Sequence, residues 1–224
     1  MATGRKRALV AWSSGKDSAY ALHLARQDDT LEVVGLLTTV TDAYERVAMH
    51  GVREALLDAQ AASVGLPLMK VRIPSPCPNE VYERAMGKAM ADALAQGIDH
   101  VVFGDLFLAD IRAYREAQLA KVGMTPVFPL WLRDTAALAR AMIASGVEAT
   151  LTCVDPRQLD RGFAGRKFDG ALLEALPASV DPCGENGEFH TLVTAGPMFS
   201  RPIAVRSGAV VERDGFVFAD VLPA

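Results

Sequence analysis

The sequence predicts an α/β protein: a parallel sheet, doubly wound with helices on both faces, followed by a smaller C-terminal region. Three features predict it. Short apolar, β-branched runs alternate with segments of helical period from residue 7 to residue 154, the pattern of strand–helix–strand units. Gly and Pro breakers separate the segments. Past residue 156 the alternation loosens into Gly, Pro and charged residues, so the expected division is 1–155 for an α/β domain and 156–224 for the remainder.

The elements follow in order. Residues 7–12 read as a buried strand, followed by a polar turn and a helix over 16–27. Residues 31–40 are β-branched-rich and form a second strand, and 52–64 a helix stopped by Gly65 and Pro67. A third strand over 68–73 ends at the breaker run Pro74-Ser75-Pro76-Cys77-Pro78. Asn79 can cap the next helix, where Val81, Ala85 and Ala89 repeat along one face. Residues 101–104 make a fourth strand, 110–121 a helix, 127–128 a short fifth strand, and Asp134 caps a helix reaching Ala144. One more buried strand covers 150–154. The tail reads as a small antiparallel meander over 203–205, 209–211 and 216–219, with turns at Ser207-Gly208 and Asp214-Gly215.

Composition excludes several classes. Of 224 residues, 50% are hydrophobic and 22% charged, which supports a packed core and excludes general disorder and coiled coil. The net charge of −4 gives no electrostatic footprint for nucleic acid. No apolar run reaches membrane-spanning length, and the apolar stretch after the basic N-terminus is too short for a signal peptide. The three cysteines, Cys77, Cys153 and Cys183, are widely spaced and fit neither a disulfide framework nor structural zinc. The expected compartment is the cytoplasm. Arginine supplies 17 of the 23 basic residues, a composition that reads as a GC-rich bacterial genome.

The turn after the first strand, Ser13-Ser14-Gly15-Lys16-Asp17-Ser18, carries the most chemistry. A strand-to-helix turn aims backbone N–H groups and the positive end of a helix dipole at the sheet's C-terminal edge, a ready anion site. Gly15 permits close approach of a phosphate, Ser13, Ser14 and Ser18 offer hydroxyls, Lys16 a positive charge, and Asp17 a carboxylate for Mg²⁺. It is neither a G-x-x-x-x-G-K-[ST] loop nor a G-x-G-x-x-G fingerprint. The same residues also read as an ordinary serine-capped helix start.

Two further stretches are dense in polar groups. Gly104-Asp105, after the fourth strand, lies across the topological switch point from the first turn. Asp105 suits a ribose or a metal-bound water, and Arg112 and Arg115 suit phosphate or carboxylate. Helix capping and solvated arginines explain these residues as well. Cys183-Gly184-Glu185-Asn186-Gly187-Glu188-Phe189-His190-Thr191 is poor core material and suits a loop that carries acid/base groups to a substrate. It reads equally as an exposed turn.

Together these motifs, with Phe128-Pro129-Leu130-Trp131, resemble the diphthine–ammonia ligase family over nearly the whole chain. The first turn is similar to the PP-loop S-G-G-x-D-S of ATP pyrophosphatases, with Ser14 in place of the second glycine, which lacks glycine's freedom at positive φ. The resemblance implies an adenine nucleotide alpha-hydrolase-like fold with a five-stranded parallel sheet. It also implies ATP-dependent amidation, in which a carboxylate becomes an acyl-adenylate and ammonia displaces AMP. By that resemblance, residues 13–18 would hold the phosphates, with Asp17 on Mg²⁺ and His50, Gly104 and Asp105 along the nucleotide. Glu185, Asn186, Glu188, His190 and Thr191 would face the acceptor or ammonia, Glu188 as proton acceptor, with Lys16 supporting adenylation. Asn79, Tyr82 and Glu83 are further candidates.

Implied partners are ATP, ammonia and a carboxylate acceptor on a protein or a small molecule, with a homodimer left open. If the source is bacterial, the acceptor is something other than an elongation factor. Two other functions compete. A nucleotide sensor would bind ATP and modify nothing. A tRNA-thiolating enzyme would need reactive cysteines and a basic RNA surface.

Overall fold

The structure is a computed structural model that describes residues 4–41, 46–47 (as backbone) and 52–224. Five parallel strands form its first sheet: β1 (Lys6–Ala11), β2 (Leu31–Thr41), β4 (Leu68–Ile73), β5 (His100–Val102) and β6 (Thr125–Val127), in the order β4-β2-β1-β5-β6. A two-residue strand, β3 (Arg46–Val47), pairs antiparallel with Val40 and Thr41 of β2. The fold is the α/β, adenine nucleotide alpha-hydrolase-like arrangement. The chain leaves β1 toward β2 and β4, then returns to place β5 on the other side of β1. The switch point therefore falls between β1 and β5.

The strands turn apolar side chains to both faces, because helices pack on each. Ala8, Val10, Leu36, Val40 and Val102 enter one core, where α1 (Lys16–Ala25) and α2 (Glu54–Val64) pack. Their neighbours Leu9, Leu37, Val101 and Phe103 enter the other, beneath α3 (Asn79–Ala95) and α4 (Ala109–Ala120). α5 (Thr135–Ala144) contributes Leu138, Ala139 and Met142 to the first core. Its expected cap is present: Asp134 accepts a hydrogen bond from the Ala137 amide at 2.7 Å. Asn79, by contrast, is already helical and Pro78 stands at the cap position. A proline that fixes an extended φ performs the entry there.

The C-terminal part builds a second sheet, β7 (Glu148–Val154), β8 (Phe189–Ala195), β9 (Val205–Arg213) and β10 (Phe216–Pro223), in the antiparallel order β8-β7-β10-β9. The sheets divide between β6 and β7, ahead of the boundary expected at residue 155. The apolar run over 150–154 is buried as anticipated, but its partners are β8 and β10. A buried central strand looks alike in either kind of sheet. The tail is one hairpin rather than a three-strand meander. Its turn is at Asp214–Gly215, while Ser207 and Gly208 lie inside β9. Gly208 serves a local irregularity opposite Asp220, where an added Cβ would sit 3.0 Å from the Asp220 Cβ.

α1 lies between the two sheets. Ala19, Ala21 and Ala25 are at most 1% exposed, and these small side chains let β1 and β8 approach it from either side. The second sheet is thereby brought against the turn at residues 13–18.

Candidate functional site

The turn after β1 is held from below by buried polar contacts. Ser14 adopts φ 70°, the left-handed conformation that glycine takes most readily, so serine does reproduce that geometry here. Its carbonyl accepts from the Gln60 side-chain amide at 3.1 Å and the Val193 amide at 2.9 Å, which fix the strained residue. Its hydroxyl is fully buried and has no partner among the described residues. Gly15 is needed for the second sheet: an added Cβ would lie 3.2 Å from the Thr191 carbonyl oxygen. Thr191 in turn accepts the Lys16 amide through its hydroxyl at 3.1 Å. The Ser13 and Ser18 hydroxyls lie 3.1 Å apart, and Ser18 donates to the Gly15 carbonyl at 3.0 Å.

Lys16 turns inward, 1% exposed. Its ammonium donates to both Asp17 carboxylate oxygens, at 2.9 and 3.0 Å, and to the Cys183 carbonyl. The Phe168 and Phe189 rings lie 5.3 and 5.4 Å from it, a cation–π arrangement. Burial is the largest single influence and opposes the charge, but Asp17, Cys183 and Asp181 together outweigh it and hold the lysine above its ordinary pKa.

The facing wall comes from β5. Gly104 is where the two walls touch: an added Cβ would sit 2.8 Å from the Asp17 carbonyl carbon and 2.9 Å from the Ser18 nitrogen. Its expected close approach is thus made to the first turn of α1. Asp105 receives a two-pronged ion pair from Arg115, one contact being Nη2 to Oδ1 at 3.0 Å. Arg115 also lies over the Phe103 ring at 4.5 Å. Arg112 does not join them. It bonds Glu116 at 2.7 Å and is stacked on Phe128 and Trp131.

The third wall is the loop leading into β8. Asp181 accepts from the Cys183 amide at 3.2 Å and the Glu185 amide at 2.9 Å. Glu185 accepts from the Leu106 amide at 2.8 Å. Burial, partly offset by that bond and reinforced by Asp17 and Asp105, pushes its carboxyl up to about 7. His190 is pushed down to about 4, first by burial and then by Lys16, so its imidazole is neutral near pH 7. Glu188 is 1% exposed and braces the loop by accepting from the Asp181 amide at 2.9 Å and the Asn186 side chain at 3.0 Å.

These walls enclose a cavity of about 450 Å³ at the switch point. Ser13, Lys16, Asp17, Ser18, Gly104, Asp105, Arg115, Glu185, His190 and Thr191 all border it. Tyr82 borders it too, whereas Asn79, Glu83 and five other expected residues do not. Ser14 and Gly15 lie beneath the turn, Arg112 is stacked elsewhere, and Glu188 and Asn186 pair with each other outside the cavity wall. Glu188 therefore acts as a brace where a base facing the substrate was expected. Its spacing in the motif gave no indication of which carboxylate turns inward. His50 lies outside the described residues.

Sequence reasoning missed Gln60, Asp181 and Thr38. Gln60 is 0% exposed and bonds Trp12 Nε1, the Ser14 carbonyl and the Val193 carbonyl at 3.0, 3.1 and 2.7 Å. A signal was present, since Gln60 interrupts the apolar face of Leu56, Leu57, Ala61 and Val64. Thr38 of β2 stands on the cavity wall, 4% exposed, and its hydroxyl has no partner among the described residues.

Fold and site together define a PP-loop-type α/β protein with a nucleotide-sized cavity at its switch point. The chain belongs to the diphthamide synthase family: the family's N-terminal domain matches residues 6–126 and its C-terminal domain residues 134–218. It is similar to the diphthine–ammonia ligase of Rattus norvegicus, 29% identical over 93% of this chain and 86% of that protein. The enzymes of that name from Homo sapiens and Danio rerio are each 27% identical over 93% of this chain, with 86% and 90% of their own lengths covered.

Proposed function

We propose that the protein is an ATP-dependent ligase of the diphthine–ammonia ligase type, which adenylates a carboxylate and transfers ammonia to it. The observation that carries this reading is the pairing, in one cavity, of the 13–18 turn with a carboxyl pushed up to about 7 at Glu185. Adenylation needs an anion site, and amidation needs a base that is half ionised near neutral pH.

ATP fits what borders the cavity. The N-terminus of the ten-residue helix α1 faces it, and the Ser13 and Ser18 hydroxyls stand beside that terminus. The Thr38 hydroxyl, without a partner among the described residues, offers a further buried polar group on the wall. Asp17 would hold Mg²⁺, which commonly takes one or two carboxylates plus phosphate oxygens. ATP, when bound, supplies the adenylyl group that activates the carboxylate and leaves as AMP.

The chain's own residues then have defined tasks. Lys16 neutralises Asp17 from beneath the turn. Arg115 orients Asp105 beside the nucleotide. Glu185 binds ammonium, takes its proton and leaves the nitrogen lone pair to attack the activated carbonyl. His190, neutral, accepts or donates a hydrogen bond without adding repulsion toward ammonium. Glu188 and Asp181 hold Glu185 in place.

Sulfur transfer is poorly served. Burial pushes the Cys153 thiol up to about 11 and the Cys183 thiol up to about 12, so neither is a thiolate near neutral pH. The deciding experiment incubates the protein with ATP, Mg²⁺, ammonium and candidate carboxylates and resolves the nucleotide products. Acceptor-dependent AMP and pyrophosphate are expected. ADP and phosphate, or ATP bound tightly without turnover, would overturn the reading and favour the sensor.

A further inference from the structure

A second cavity, about 540 Å³, opens between α3 and α4. Its floor is the face of the parallel sheet beneath these helices, at Leu37, Val101 and Phe103. Met86 and Met90 of α3 and Leu119 of α4 form its sides, and the exposed Glu80, Arg84 and Lys121 line its solvent side. At its inner end it shares Leu37, Tyr82, Met86, Phe103 and Arg115 with the cavity at the switch point. The two cavities adjoin at these residues, one polar and the other mainly apolar.

We propose that the apolar cavity is the acceptor site, and that it takes a small carboxylic acid with an uncharged apolar body. The inference rests on the ligase reading, which requires an acceptor to reach the polar cavity. The volume is that of a small-molecule pocket rather than a flat docking face. Methionine side chains on its wall suit a body of variable shape. Arg115 stands at the junction, and its two bonds to Asp105 use Nε and Nη2 only, leaving further N–H groups on the fork for a carboxylate. An acid lying with its body over Leu37 and Val101 would present its carboxylate at Arg115, facing the 13–18 turn. Gly87 supports the assignment independently. It sits inside α3, where glycine is unfavourable, it lines the cavity, and an added Cβ would meet nothing within 4 Å. The helix omits a side chain where it borders the cavity.

The test uses the whole chain loaded with a non-hydrolysable ATP analogue, titrated calorimetrically with hexanoate, octanoate and decanoate, and with the matching amides. Binding that strengthens with chain length and prefers acid over amide is expected. Gly87→Trp, which fills the cavity from an open position, should weaken acid binding by about tenfold or more and leave the nucleotide affinity unchanged. Gly87→Ala should leave both unchanged. The proposal is overturned if no acid binds the nucleotide-loaded protein, or if Gly87→Trp binds acids as well as the original. Sedimentation showing that Gly87→Trp converts a dimer to a monomer would also overturn it, because the occupant would then be a second copy of this chain. The ligase reading fails separately. Acids that bind this cavity without ever yielding AMP sink that reading alone, whereas AMP formation that Gly87→Trp does not impair sinks the cavity assignment alone.

Discussion

The two faces of the parallel sheet are finished in opposite ways. On one, α1 is pressed between the sheets, its alanines almost fully buried, and Gln60 ties Trp12, Ser14 and Val193 together in the interior. On the other, α3 and α4 stand apart and the sheet residues between them line an open cavity. A sealed face can hold a strained turn such as Ser14 in one conformation, because every alternative breaks buried hydrogen bonds. An open face holds nothing rigidly and keeps room for a guest. The contrast separates support for the polar site from space for its substrate.

The largest test of that contrast is Gln60→Leu. Similar in volume, it removes every bond that Gln60 makes: the Trp12 Nε1 and the Val193 carbonyl lose the Gln60 side chain, and the Ser14 carbonyl is left with the Val193 amide. A loss of about 3 kcal/mol is expected, read from the urea midpoint at constant slope, with a parallel loss of nucleotide affinity. An unchanged affinity would show that the turn does not depend on its support. Next comes Gly104→Ala. Its Cβ would strike the backbone of Asp17 and Ser18 below 3.0 Å, and backbone cannot step aside as a side-chain tip can. About 2 kcal/mol of destabilisation is expected, together with weaker ATP binding in a titration of the folded variant.

Much of the fold was legible in the sequence, because strand alternation, breaker residues and the turn after β1 are local signals. The placement of Gly104-Asp105 across from the first turn followed from topology rules once that turn was set at the switch point. What stayed hidden was long-range. The apolar run in β7 does not state whether its partner is a parallel or an antiparallel strand. In the site, the residue types of the 183–191 segment marked it as a candidate, and Glu185, His190 and Thr191 do border the cavity. Which of Glu185 and Glu188 faces the cavity depends on Asp181 and on the Leu106 amide, 79 residues away, and no spacing encodes that.

Glu185→Gln tests the polar cavity at smaller energy. The carboxyl sits at about 7 in the folded chain against an ordinary 4.5, so the folded state holds its proton more tightly than the unfolded one. The sign follows: its protonated form favours the fold fully below about 4.5, and that contribution is lost as pH rises through about 7. Above that pH the glutamine variant should be the more stable by about 1 kcal/mol once solvent screening is allowed for, while below 4.5 the two should match. Amide formation should fall by about a hundredfold or more, with the acidic limb of the rate profile removed along with it. Equal stability of the two proteins at every pH would show that the carboxyl is not held where its role requires.

The smallest effect makes the sharpest comparison, because the same change is made on the open face. Gly87→Ala adds one methyl group, as Gly104→Ala does, but at a helical position where that methyl meets nothing within 4 Å. Alanine restricts the unfolded chain and favours the helix, so a gain of between about 0.5 and 1 kcal/mol is expected. Opposite signs for one substitution at two glycines, read in the same denaturation series, would confirm that one face is closed against backbone and the other is open to a ligand. A loss of stability at Gly87 would mean that the space between α3 and α4 is already filled in solution. The cavity would then have an occupant from the chain or from a second copy, and the acid would have nowhere to lie.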